Sequence, residues 1–179
     1  MISRIVNALV FQIGWMVCVL GAGRESPWSG PIVVSALVAL NLWLSSHPRI
    51  TTRLIFLVGL LGTLVDSILS YAGVLVFAGN PFAPWLCPPW LIALWCLFAT
   101  TLNSSLQWLA RRDWRASLVG AIFGPLSYVA GQTMGALRLG PGVIEGVLIL
   151  AGLWAGMMPL LVRLAEKMER RARVNLSGP

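Results

Sequence analysis

Residues 54–85 read LIFLVGLLGTLVDSILSYAGVLVFAGNPFAPW and carry one charge, at Asp66. An apolar run of this length exceeds the roughly 20 helical residues that cross a hydrocarbon core of about 30 Å, so it reads as a membrane-crossing helix with its trailing loop. A carboxylate at bilayer depth costs about 2.5–3.5 kcal/mol on insertion scales and ordinarily faces the bundle interior. Asp66 is therefore expected to point at protein. Gly59, Gly62, Thr63, Ser70 and Gly73 lie around it at helical spacing, a stripe of small and polar residues suited to close helix contact.

The rest of the chain agrees. Of 179 residues 58% are hydrophobic and 11% charged, against about a quarter charged in soluble domains, and the mean hydropathy is +0.82. Six segments approach spanning length: 4–22, 30–46, 52–78, 86–109, 116–137 and 143–165. The expected fold is all-α, a polytopic membrane bundle of six transmembrane helices in a single domain over 1–165, with a basic cytoplasmic tail over 166–179. The opening MISR and its apolar run resemble a signal peptide, but the run reaches Leu20 and contains Gln12 and Trp15, so an uncleaved first helix is expected.

The net charge of +7 sits in short clusters between apolar runs. Arg4, Arg49, Arg53, Arg111, Arg112, Arg115, Arg163, Lys167, Arg170, Arg171 and Arg173 fall on one side of this topology, and only Arg24 and Arg138 on the other. That asymmetry places both termini in the cytoplasm of a multi-pass protein of the bacterial inner membrane, with lipids as neighbours and no nucleic-acid partner. Cys18, Cys87, Cys96 and His47 have no metal-ligand spacing, so no metal or cofactor is expected.

Counting from the cytoplasmic ends at 1.5 Å per residue, Asp66 and Tyr128 stand level, about 20 Å above Arg53 and Arg115. Gln12 and Asn103 sit lower, about 12 Å above their nearest basic residues, and Thr100, Ser104 and Gln107 extend a polar column. The fifth segment repeats small residues at Gly120, Gly124, Ser127, Gly131 and Gly135, with Pro125 interrupting its hydrogen-bond ladder. A pocket around Asp66 lined by Gln12, Asn103, Ser127 and Tyr128 follows. With no cation at its depth, the low dielectric disfavours the charged form of Asp66. Two roles stay open: a helix–helix clasp to Tyr128 or Asn103, and proton transfer or ligand binding by Asp66 and Tyr128. Near the outer surface, Gln132, Arg138 and Glu145 form a second candidate site, with an Arg138–Glu145 ion pair as its simplest content. No internal repeat stands out beyond Gly-Pro pairs at 30–31, 124–125 and 140–141.

Four blocks, FQIGW at 11–15, LVDS at 64–67, PPWLIALWCLFATTLNSSLQW at 88–108 and GPLSYVAGQTMGA at 124–136, together resemble the small bacterial inner-membrane proteins of the family called domain of unknown function 2878. The resemblance covers nearly the whole chain except the basic tail. It implies six spans and an association with lipid modification, and it supplies no catalytic residues. The functional expectation is binding or modification of a lipid or other hydrophobic small molecule around Asp66. The alternatives are a transporter or substrate-capture subunit with a periplasmic-facing site at Gln132, Arg138 and Glu145, and a structural or assembly subunit.

Overall fold

The structure, a computed structural model, describes residues 2–77 and 79–176, with side chains from residue 4 to residue 171 within them. It is built from six helices: α1 (Ile2–Gly23), α2 (Ser29–Trp43), α3 (Pro48–Tyr71), α4 (Pro89–Leu102), α5 (Asp113–Thr133) and α6 (Val143–Leu176). A 3₁₀ turn, Gln107–Leu109, precedes α5, and two short strands, β1 (Leu75–Phe77) and β2 (Leu137–Leu139), form one antiparallel ribbon. The all-α class holds. Among the described residues three helices are long and apolar enough to cross a membrane, Arg4–Gly23, Pro48–Tyr71 and Val143–Arg171, whereas α2 and α4 are apolar but only 15 and 14 residues long. At 1.5 Å per residue, α4 spans about 21 Å, short of a 30 Å core.

Two expected segments end early, for one physical reason. α3 stops at Tyr71 because Gly73 takes a left-handed φ of 73°, its N–H bonding to the Ser70 carbonyl and the Val74 N–H to the Leu69 carbonyl. α5 stops at Thr133 in the same way: Gly135 has φ 79°, and the Gly135 and Ala136 N–H groups bond to Gln132 and Gly131. This pair of bonds around a C-terminal glycine satisfies the last helix carbonyls and turns the chain away. One residue later, each chain enters a strand. Val76 pairs with Arg138 at the middle of the ribbon, flanked by Leu75 with Leu139 and Phe77 with Leu137. The expected helix 52–78 thus contains a strand, and its last residue lies outside the described residues. The fourth segment is helical only to Leu102 before the turn through 103–106.

The ribbon exposes a repeat that the sequence reading missed. Asp66 and Tyr128 are 62 residues apart and hydrogen-bonded. Gly62 and Gly124, Gly73 and Gly135, and Val76 and Arg138 share that separation. The unit α3–β1–α4 therefore recurs as α5–β2–α6, its two strands meeting at the middle of the ribbon.

The bundle is apolar outside as well as inside. Ile5, Leu9, Ile13, Met16 and Leu20 run exposed along α1, and Phe56, Leu60, Leu64 and Ile68 along α3. In water such stripes would be sticky, whereas against lipid they match their surroundings. Exposed tryptophans sit at both ends, Trp28 and Trp85 at one and Trp43, Trp108 and Trp114 at the other, where indoles suit a membrane–water interface. At the second end Arg4 donates to Gln107, and Arg163 pairs with Asp113. That hydrogen bond holds the Asp113 carboxyl below its ordinary range. α6 continues unbroken through Leu176, so the expected tail from 166 extends this helix, and residues 177–179 lie outside the described residues.

Candidate functional site: a carboxylate clasp behind an aromatic cavity

Asp66 is completely buried. Its Oδ2 accepts a hydrogen bond from Trp95 Nε1 at 2.6 Å and its Oδ1 one from the Tyr128 hydroxyl at 2.7 Å. Trp95 can only donate, so Oδ2 is an acceptor whatever the protonation of the carboxyl. Three helices, α3, α4 and α5, are joined through this one side chain.

Glycines make room for the large rings. A Cβ on Gly62 would overlap the Trp95 indole, and a Cβ on Gly124 would overlap the Trp154 indole. The two indoles stack on each other with centroids 5.3 Å apart and planes 6° from parallel. The small-residue stripes of α3 and α5 thus serve as seats, one turn before Asp66 and Tyr128 respectively, for a pair of tryptophans held between them. Next to Asp66, Ser67 donates to the Thr63 carbonyl and accepts from the Cys87 N–H, fixing the start of α4 on α3.

On the other side of Trp95 and Tyr128 lies a cavity of about 670 Å³. Its walls come from α1, α4, α5 and α6 and include Trp15, Trp90, Phe98 and Trp154, with Leu137 of the ribbon at one end. α1 and α5 scarcely touch, and Gln12, Phe123 and Leu126 line the cavity while remaining exposed. The space therefore opens sideways between these helices, towards the apolar exterior. Among the described residues no Asp, Glu, Lys, Arg or His lines it, and Tyr128 is the one titratable group that does. The volume falls within the range of small-molecule sites, as do the apolar walls with a few polar groups.

A family model described as a protein of unknown function, DUF2878, matches residues 4–160. The chain belongs to this family. No match was found among curated proteins or among solved structures. Family membership brings no site residues to this DUF2878 chain, so geometry alone ranks those expected from sequence.

The expected contact between Asp66 and Tyr128 is present. Two expectations about the Asp66 pocket need correction. Asn103 ends α4 and lines a separate polar cleft of about 400 Å³ with Gln107, Arg111, Glu166 and Arg170, because α4 stops too far from Asp66 for it to reach. Asp66 itself does not line the large cavity, being sealed behind Trp95 and Tyr128. Gln12 and Ser127 do line that cavity, the latter with its hydroxyl bonded to the Gly124 carbonyl.

The outer trio does not converge as a charged site. Gln132 accepts from the Leu139 N–H at 2.7 Å, which anchors β2. Arg138 is exposed on the ribbon and Glu145 exposed at the start of α6, and no ion pair joins them. The ribbon fixes Arg138 opposite Val76 instead. Cys18, Cys87 and Cys96 are free.

Sequence reasoning missed Trp95 and Trp154, reading their segments only as apolar. It also missed Asn7, whose Oδ1 accepts from Ser105. A signal for Trp95 existed: a buried indole N–H needs an acceptor, and Asp66 is the lone carboxylate within its apolar run.

Proposed function

We propose that this DUF2878 protein is a multi-pass protein of the bacterial inner membrane, with six membrane-embedded helices and both termini cytoplasmic, that holds a hydrophobic small molecule in the cavity between α1, α4, α5 and α6. The observation that carries the reading is the cavity itself: about 670 Å³, aromatic, free of charged side chains and open sideways between α1 and α5. A lipid enters such a site from the bilayer without crossing water. Asp66 is then a positioning residue that fixes the Trp95 and Tyr128 walls, and Tyr128, Ser127 and Gln12 are the polar groups that meet the ligand. Binding is favoured over catalysis because, among the described residues, no second titratable group stands beside Tyr128 in the cavity to activate a hydroxyl such as that of Ser127. The capture-subunit reading has no comparable support, since Gln132 is occupied and Arg138 and Glu145 stay apart.

The test is mass spectrometry of lipids co-purified with the wild type and with Ala130→Phe or Ala8→Phe, which fill the cavity from α5 or α1. Loss of a specific lipid from folded variants is expected. The same lipids in the same amounts would overturn the reading. Orientation is tested by labelling single cysteines in a cysteine-free background: Pro81→Cys and Pro141→Cys should react from the periplasm, and Ser46→Cys and Arg112→Cys from the cytoplasm.

A further inference from the structure

The cavity has two unlike ends. At the ribbon it is blind: Val19, Trp90, Leu91 and Leu137 wall it there, and all four are buried. At the opposite end, where Arg4 donates to Gln107, the wall includes Ala8, Ser105 and Trp108, and Ala8 and Trp108 are exposed. From Ala8 to Val19 on α1, and from Val119 to Gly131 on α5, the walls run about 17 Å at 1.5 Å per residue. The space is therefore a slot, sealed at the ribbon and open at the Arg4 end as well as sideways.

The wall hydroxyls already donate inside the protein: Tyr128 to Asp66, Ser127 to the Gly124 carbonyl, Thr101 to the Phe98 carbonyl and Ser105 to Asn7. An alkyl chain can lie against them without orphaning a hydroxyl donor. A charged group inside the slot would lose its hydration without gaining a counter-ion, which strongly disfavours it.

Positive charge begins just outside. Residues three and four apart share a helix face, so the wall face of α1 through Trp15, Gln12 and Ala8 continues to Arg4, and that of α5 through Ser127, Phe123 and Val119 continues to Arg115. Each arginine thus stands one turn beyond the last wall residue of its helix, at the open end. Among the described residues neither pairs with a carboxylate: Arg4 donates to the neutral Gln107 amide at 2.6 Å, and Arg115 lies over the Trp114 ring, 5.2 Å from its centroid. Asp113, the carboxylate at this end of α5, is held by Arg163.

Building on the ligand-binding reading above, we propose that the occupant is a single-chain anionic lipid lodged tail-first, with its alkyl end against the ribbon and its carboxylate or phosphate head at the open end, beside Arg4 and Arg115. The head then stays at the membrane–water interface with cations to meet it, and only the chain enters the uncharged slot. A slot of about 670 Å³ is of small-molecule size, which suits one chain. A fatty acid and a lysophospholipid both supply this chemistry.

The experiment measures retention of three radiolabelled probes by phosphatidylcholine nanodiscs with and without the full chain: hexadecanoate and palmitoyl lysophosphatidate, both ionised at alkaline pH, and hexadecanol. At least one anionic probe should bind at least about tenfold more tightly than hexadecanol, and which one separates carboxylate from phosphate. Arg4→Gln and Arg115→Gln should each weaken anion binding about fivefold and leave hexadecanol unchanged, while Arg4→Lys should retain most of it and Ala130→Phe should release every probe. In wild-type protein, the retained probe carrying a diazirine on its terminal carbon should label Trp90, Leu91 or Leu137. Hexadecanol bound as tightly as the anions, or unchanged anion affinity in both folded Gln variants, would overturn the anionic head while leaving hydrophobic binding intact. Terminal-carbon labelling at Ala8 or Ser105 would overturn the tail-first pose, and anions retained by folded Ala130→Phe would place them on the basic surface instead of in the slot. No probe retained above empty nanodiscs overturns this inference, and together with unchanged co-purified lipids in Ala130→Phe it would remove the binding reading as well.

Discussion

The two halves of the α3–β1–α4 and α5–β2–α6 repeat each place a tryptophan on a glycine seat, yet they differ in the residue that meets the indole. In the first half the residue facing the indole is Asp66, sealed and doubly hydrogen-bonded. In the second it is Tyr128, which borders the cavity and leaves the Trp154 N–H unpaired. The first half closes a structural clasp, and the second uses that clasp as the back wall of a cavity. A buried acid within an apolar helix thus acts on its surroundings by fixing two other side chains.

The largest expected effect comes from removing the clasp. Asp66→Leu leaves the Trp95 N–H and the Tyr128 hydroxyl buried without a partner, at about 1–3 kcal/mol each, so thermal melts in detergent should show a stability loss of about 2–6 kcal/mol. A wild-type melting curve would mean that the two donors find other acceptors and that the halves differ less than the hydrogen bonds imply.

Next come the seats. Gly62→Leu and Gly124→Leu each push a side chain into a stacked indole, and overpacking of this kind costs about 1–3 kcal/mol. Gly131→Leu should be milder, because an added Cβ there meets only the Leu137 side chain at 3.3 Å. If only one of the two seats proves sensitive in melts, the glycines are not equivalent and the repeat does not extend to packing.

The two indoles sharpen the contrast most cleanly. Trp95→Phe orphans one oxygen of a buried carboxyl and should cost about 1–3 kcal/mol. Trp154→Phe removes a donor that has no partner in the protein, so in delipidated protein its polar change should cost nothing measurable, within about 0.5 kcal/mol. Equal destabilisation by the two substitutions would show that the Trp154 N–H is satisfied after all.

Smallest is the exposed Asp113–Arg163 pair. Its hydrogen bond holds the Asp113 carboxyl below the ordinary value, so whatever stability it adds is present above the unfolded value of about 3.9 and is lost as pH falls through the lower folded value. Asp113→Asn should be indistinguishable from the wild type in melts at neutral pH, as exposed pairs contribute little. A measurable drop would mark that end of the bundle as more than a solvated rim.

The bundle was legible because hydrophobic runs announce helices, and Asp66 opposite Tyr128 was legible because depth can be counted from the basic ends. What sequence hid has physical causes. The ribbon pairs 75–77 with 137–139, and apolar residues such as Leu75, Val76 and Phe77 carry no mark separating a short strand from the end of a helix. Gly73 and Gly135 did carry the stop signal, but within glycine-rich stripes they read as packing residues. The repeat escaped because it lives in geometry and in a few glycines, while its most informative pair, Asp66 and Tyr128, is chemically unlike. Asn103 was misplaced because a helix assumed to run from 86 to 109 brings it deeper than the observed α4 does.

The most direct test of the clasp is Asp66→Asn, followed by thermal melt and by co-purified lipid content. Asn keeps an acceptor for Trp95 and can donate its amide to the Tyr128 oxygen, so a structural Asp66 predicts a melting curve close to wild type, within about 1 kcal/mol of stability, and an unchanged lipid load. A variant that is fully stable but empty would contradict this, and would place the carboxylate itself in contact with the ligand.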